Sequence, residues 1–230
     1  VSLMGASKKI MELVLQCKHY EFDASIETST TRFANVAFSN GSLLQSFSTR
    51  FEKREPIPAP LEIKRFFVSH KEAAQICILS SCNLSDGNIL VPKINDFFKL
   101  YPIINVAQNF IESKKLNPVL VESKEEAYEI INKNNKDYPL VSTQPNTSGE
   151  KEYEEFIGLG EEVLESDFKN FDVVKYSDFN KEELITFVNN FNLLLQGDVS
   201  ISKTDLIKNV KNIVKNLNHV ETGENLDNRM

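Results

Sequence analysis

The sequence predicts an α/β protein with a largely parallel sheet. Three observations carry that expectation. From about Asp86 onward, strand-like and helical segments alternate, the order that βαβ units impose. TTRFANVAF (residues 30–38) is rich in β-branched and aromatic residues and bounded by polar ones, as a buried strand requires. The last third carries apolar residues at helical spacing, among them Leu206, Val210, Ile213 and Leu217.

Taken in order, a first helix is expected from Leu3 to Lys18. Met4, Lys8, Met11 and Leu15 share one face at i, i+4, i+7 and i+11, and Ile10, Leu13, Val14 and Cys17 cover the adjoining side. The strand TTRFANVAF follows. After an Asn40-Gly41 turn the period changes, and Leu43, Leu44, Phe47 and Phe51 line one helical face. PIPAP reads as an extended breaker, IKRFFVS as a short strand, and HKEAAQICILSSC as a helix with Ala73, Ile76, Cys77 and Ser80 inward. Then come the strand NILVP, the helix INVAQNFIES, the strand NPVLVES, the helix KEEAYEIINKN and the strand YPLVST. FDVVKYS and the helices KEELITFVNNFNLLLQ and TDLIKNVKNIVKNL precede a polar tail, HVETGENLDNRM.

Composition narrows the function classes. With 230 residues, 41% of them apolar, the chain is long enough for one large or two small domains with a real core. Its 26 Lys and Arg against 33 Asp and Glu give a net charge of -7 with no basic run, which argues against nucleic acid or a membrane surface as partner. Cys17, Cys77 and Cys82 are an odd number without metal-ligand spacing and sit among apolar residues, so they read as reduced core thiols. No apolar run is long enough for a membrane span, and no signal-peptide layout is present; a cytoplasmic location is expected. His19, His70 and His219 have no mutual ligand spacing and receive no role. The acidic run from Glu150 to Glu165 reads as a solvated helix face rather than a metal site.

A lysine on an apolar helical stripe must snorkel, pair or be used, because an unpaired buried ammonium is costly. Periodicity alone leaves those options open for Lys8, just as it leaves Arg32 and Asn35 free simply to cap or bridge a strand end. LMGASKKIMELVL, then TRFANVAFSNGSLLQSF, then IKRFFVSHKEAAQICIL resembles, in content, order and spacing, the extended short-chain dehydrogenase/reductase family. Within it the likeness is to the nucleotide-sugar 4,6-dehydratases of polysaccharide and nonulosonic-acid biosynthesis that act on UDP-N-acetylglucosamine. NTSGEKEYEEFI and HVETGENLDNRM resemble that group's C-terminal signatures, so the likeness spans nearly the whole chain.

The resemblance implies the C-terminal part of an extended Rossmann-type fold, with a smaller α/β substrate-binding domain and C-terminal helices. It implies residues 1–93 as the remainder of the Rossmann-type domain with interleaved pocket segments, 94–218 as the substrate-binding and C-terminal region, and 219–230 as tail. The glycine-rich cofactor half would lie upstream of residue 1. GLGEEV at Gly158 to Val163 lacks a third glycine and opens no βαβ helix, so it is no substitute. Lys8 matches the lysine of the family's YxxxK motif, which holds the nicotinamide ribose of NAD or NADP and stabilises developing oxyanions. Met4 stands at the tyrosine position and cannot transfer a proton, as in a subgroup where an upstream acid takes over. Asn35, Ser39, Gly41 and Ser42 match NVxxSxGS, which faces the sugar and diphosphate. Arg65 matches a diphosphate-pairing arginine, and Glu150 a residue near the nucleoside. Homo-oligomerisation through the first helix is expected too. A nucleotide-sugar epimerase on the same scaffold, or a non-catalytic oligomerisation remnant, are the alternative readings.

Overall fold

A computed structural model describes residues 3–19, 26–95, 98–133, 135–143, 155–158, 160–175 and 179–217. Helix α1 (Leu3–His19) opens the chain. Two very short strands follow, β1 (Thr30–Thr31) and β2 (Asn35–Val36), and the expected continuous strand is broken over residues 32–34. Helix α2 (Leu43–Glu52) begins at Ser42, whose Oγ accepts the Gln45 backbone N–H, and it buries Leu44 and Phe47 as the helical spacing predicts.

Ile57–Pro60 is not merely a breaker but strand β3. It is tolerated because it lies at a sheet edge, where prolines remove few ladder bonds. IKRFFVS divides into β4 (Lys64–Arg65) and β5 (Phe67–Val68), and the two halves join different partners. Helix α3 (His70–Asn83) starts on a reciprocal capping box between Ser69 and Glu72. Hydrogen bonds from the Ser69 backbone N–H hold the Glu72 carboxyl below its ordinary pKa. Its inward stripe is narrower than expected. Ala73, Ile76 and Ser80 are buried, whereas Cys77 and Cys82 are exposed, so only Cys17 is a core thiol.

The remaining elements are β6 (Ile89–Pro92), β7 (Tyr101–Pro102), α4 (Ile103–Ser113), β8 (Asn117–Val121), α5 (Lys124–Lys133), β9 (Asp137–Thr143), β10 (Glu162–Leu164), β11 (Phe171–Lys175), α6 (Lys181–Gln196) and α7 (Lys203–Ile213). The expectation missed β7 and β10. Asn180 caps α6 by accepting the Glu183 N–H, and Gly197 ends that helix in the left-handed conformation, φ +83°.

Two sheets organise the molecule. One is mixed, in the order β1-β6-β11-β10, with β1 parallel to β6 and the other pairs antiparallel. The other, β3-β9-β8, is wholly parallel and carries α4 and α5 as its crossovers. The ribbons β2-β5 and β4-β7 lie between them in sequence and share the 64–68 segment. That segment also serves two cores: Phe66 and Val68 pack with Leu13, Ile89, Leu90, Val174 and Leu184, while Ile63 packs with Phe47, Ile57, Ile103, Phe110 and Leu140. The pairings β6-β11, β3-β9 and β4-β7 all cross residue 93.

Of the two apolar sides of α1, the one carrying Ile10, Leu13, Val14 and Cys17 is turned to the core, and the stripe with Lys8 is open. Leu13 and Cys17 enter the first core with Ile10 and Val14 beside them, and Ala6 seats a small third cluster with Val214 and Leu217. Ala6 lets those side chains approach the helix backbone closely, which a larger residue there would prevent. Met4 and Met11 are therefore 71% and 68% exposed, and Lys8 and Leu15 stand with them on the open side.

Candidate functional site

The site is assembled around a break in a strand. Arg32 donates its backbone N–H to Leu90 O (2.9 Å) and so continues the β1-β6 ladder. Three residues later Asn35 begins β2, which pairs Asn35 with Phe67 and Val36 with Val68. Asn35 donates its backbone N–H and its side-chain Nδ2 to the same carbonyl, Phe66 O, both at 3.2 Å. Phe66 directly follows Arg65, so the 35–42 segment hangs from the Arg65 strand. Arg65 is partly buried, donates Nη1 to its neighbour's carbonyl, Lys64 O (2.8 Å), and lies opposite Tyr101 in the β4-β7 ribbon.

Beyond Val36 the chain makes a tight turn. Ser39 donates to Val36 O and Ser42 to Ser39 O, and two residues take positive φ: Phe38 at 59° and Gly41 at 72°. A bulky L-residue in that region costs on the order of 1–2 kcal/mol, so the turn is held by its surroundings. A Cβ on Gly41 would meet nothing within 4 Å, so its position is sterically open, while its backbone N–H donates to Gln45 Oε1. Asn35, Ser39, Gly41, Ser42 and Arg65 are thus carried on adjoining pieces of backbone.

Lys8 reaches this framework through its helix. Among the described residues its ammonium makes no hydrogen bond or ion pair. One turn further along α1, Glu12 accepts Arg32 Nε (2.8 Å) and Nη2 (2.7 Å) in a fork. Arg32 Nη1 and Nη2 also donate to the two oxygens of Glu161 (2.7 and 2.8 Å), and Nη1 to Phe156 O (2.8 Å). All five guanidinium N–H groups are thereby used. Lys9 donates to Glu161 Oε1 as well, and the Gly158 backbone N–H donates to Oε2 (2.7 Å).

The four side chains are two cations and two anions, so the cluster is neutral. Burial alone would push the Glu161 carboxyl up. Hydrogen bonds from Arg32, Lys9 and the Gly158 N–H outweigh it and hold the pKa at about 2. Burial also works against the Arg32 charge, but its bonds to Glu161 and Glu12 prevail and its pKa is raised.

This cluster corrects the reading of the acidic run. Among the described residues of that run there is no helix; Glu161 is nearly fully buried, its side chain 2% exposed, and a strand follows it. At GLGEEV the Gly158 N–H is taken by the chain's own carboxylate, and a strand rather than a helix follows, unlike a phosphate cradle at a helix N-terminus. Glu150 lies outside the described residues. Lys9, Glu12 and Glu161 were missed as a unit. The available signal was Arg32 itself, a guanidinium inside an apolar run that must find partners.

Two further features do not involve the expected site. An open groove of about 180 Å³ between α6 and α7 is lined by Phe187, Asn190, Phe191, Leu206 and Asn209, among others. Among the described residues, no group of His, Cys, Asp and Glu is placed to hold a metal ion, and no helix is long and apolar enough to cross a membrane.

Comparison with known proteins places this architecture. The family model described as polysaccharide biosynthesis protein matches residues 1–176. "Probable polysaccharide biosynthesis protein EpsC" of Bacillus subtilis (strain 168) is 24% identical over 202 residues, which are 86% of this chain and 29% of that protein. The X-ray structure of Pen from Bacillus thuringiensis superposes with a TM-score of 0.52 at 19% identity, over 82% of this chain and 57% of that one, a likeness of fold. The chain spans less than a third of the length of that curated relative. With the family match covering most of the described α/β framework and every expected site residue, the chain belongs to the polysaccharide biosynthesis protein family.

Proposed function

We propose that this chain is the substrate-facing part of a cytoplasmic, NAD- or NADP-dependent nucleotide-sugar 4,6-dehydratase, a lyase that converts UDP-N-acetylglucosamine to a UDP-4-keto-6-deoxy sugar and water. The observation that carries the reading is the company Lys8 keeps. Its unpaired ammonium stands on the open face of α1, and that helix is bonded through Glu12 and Arg32 to the strand that leads into Asn35–Ser42. In this reading Lys8 holds the dinucleotide's ribose and stabilises negative charge developing on the sugar oxygen. Asn35, Ser39, Gly41 and Ser42 line the sugar and diphosphate, Arg65 pairs with the diphosphate, and Glu150 approaches the nucleoside.

When bound, a nicotinamide dinucleotide supplies reversible hydride transfer. The described residues fit its ribose end at Lys8 and offer no cradle for its phosphates. Met4 is exposed beside that position but carries no transferable proton. In this reading the phosphate cradle and the acid/base pair are supplied by other parts of the whole protein, residues 1–93 contribute the remainder of the cofactor-side unit with interleaved pocket segments, and 94–218 contribute the substrate-binding and C-terminal region, joined to the first by strand pairings across residue 93. Homo-oligomerisation through α1 would use its later turns, where Met11 and Leu15 are exposed, and leave the turn of Met4 and Lys8 to the dinucleotide, because Ile10, Leu13, Val14 and Cys17 are taken up by the core.

The test is to incubate the natural full-length protein with UDP-N-acetylglucosamine and NAD or NADP, and to identify the product by mass spectrometry. Loss of one water with the UDP retained is expected. An isomer of unchanged mass would make the protein an epimerase instead, and an unchanged sugar would reject both.

A further inference from the structure

We propose that Arg32 is a positioning residue: through Glu12 it sets the orientation of the helix turn that presents Lys8, and through its own backbone it ties that turn to the 35–42 segment. The inference rests on the reading of Lys8 given above and adds how that lysine is held.

Three separate pieces of chain converge on one guanidinium. Helix α1 arrives through Glu12, and the 156–161 segment through Phe156 O and Glu161. The break between β1 and β2 contributes Arg32 itself, fixed by its N–H to Leu90 O. A planar fork with all five donors engaged permits one arrangement of its partners, whereas apolar contacts would allow the helix to slide or roll. Lys8 lies one turn before Glu12 and on the exposed side of the helix, where no core contact orients it. Core contacts of Ala6, Ile10, Leu13 and Cys17 seat the helix, and the bonds of Glu12 to Arg32 add the directional constraint that fixes the Lys8 turn relative to the strand leading to Asn35. Lys9, the neighbouring lysine, is committed to Glu161, which leaves Lys8 as the lysine of that turn directed to the open side.

The experiment is a double-mutant cycle in the natural full-length protein, with dinucleotide affinity read by fluorescence titration and kcat and KM read with UDP-N-acetylglucosamine. Arg32→Lys keeps the charge and loses the fork. It is expected to weaken dinucleotide binding and to lower kcat each by about tenfold, with KM for the sugar nucleotide within about twofold. Combined with Lys8→Ala, it should add little to the loss that Lys8→Ala produces alone, because both changes disable the same group. Glu12→Gln, which leaves the Arg32–Glu161 bonds in place, should behave as Arg32→Lys does and serves if that variant does not fold. Losses that multiply across Lys8 and Arg32, or an Arg32→Lys or Glu12→Gln protein with normal affinity and turnover, overturn the positioning role while leaving Lys8 its own. A Lys8→Ala protein with normal affinity and turnover instead removes the Lys8 reading itself.

Discussion

Around β9 the chain is held by apolar packing: Leu140, Ile57, Ile103, Ala107 and Ile111 interlock between the parallel sheet and α4, with Phe47 and Phe110 closing one side. Tyr138, buried there, donates its hydroxyl to Glu55 O (2.8 Å), and burial pushes its pKa up to about 12. Around β1 the equivalent task of fixing a helix to a sheet is shared with Lys9, Glu12, Arg32 and Glu161. Apolar burial is non-directional and tolerates small shifts, while the charged cluster permits one geometry and is severely harmed if any member is lost. On the proposed reading of Lys8, the region that presents this lysine is the one that uses directional bonds.

The largest effects should come from half-breaking the cluster. Arg32→Ala leaves Glu161 and Glu12 without their guanidinium and is expected to cost about 3–5 kcal/mol in a denaturant titration at neutral pH. Leu140→Ala, its counterpart in the apolar region, should cost about 2–5 kcal/mol through lost burial and the cavity left behind. The two differ in pH response. Glu161 has a folded-state pKa of about 2 against its ordinary 4.5, so its contribution is complete above 4.5 and is lost as pH falls toward 2. That group should remove about 3 kcal/mol of stability over the interval, and Glu161→Gln should abolish its share of the acid slope while Leu140→Ala leaves the slope intact. Unfolding curves at several pH values check both.

Much of the fold was legible because the signals were local. Alternating segments, the span of α1, the buried face of α2 and the strands β6, β8 and β9 all follow from spacing and residue type. What escaped depended on partners far along the chain. Ile57–Pro60 reads as a breaker until β9, some eighty residues later, supplies its ladder. The face of α1 was ambiguous because two apolar sides compete, and Val214 and Leu217 near the far end of the chain decide it. Glu161 looked like one more solvated acid because nothing near it in sequence shows that Arg32 will bury it. The residues proposed for the pocket, Asn35 to Ser42 and Arg65, were readable only by resemblance, since neither period nor charge sets them apart.

Smaller effects sharpen the comparison at the site's edge. Ser42→Ala removes the cap of α2 and should cost about 1 kcal/mol, a loss that calorimetry of the purified variant would detect. Thiol labelling should modify Cys77 and Cys82 rapidly in the native state and Cys17 only on unfolding, since Cys17 alone is buried.

The most direct test concerns Lys8 beside Met4, one turn apart on the same exposed face. On the proposed dehydratase reading, Lys8→Ala in the natural full-length protein at saturating UDP-N-acetylglucosamine should lower kcat by about a hundredfold or more, roughly 3 kcal/mol of lost oxyanion stabilisation. Met4→Leu, which removes no proton-transfer group, should leave kcat within about twofold. Unchanged turnover in the lysine variant would contradict the account.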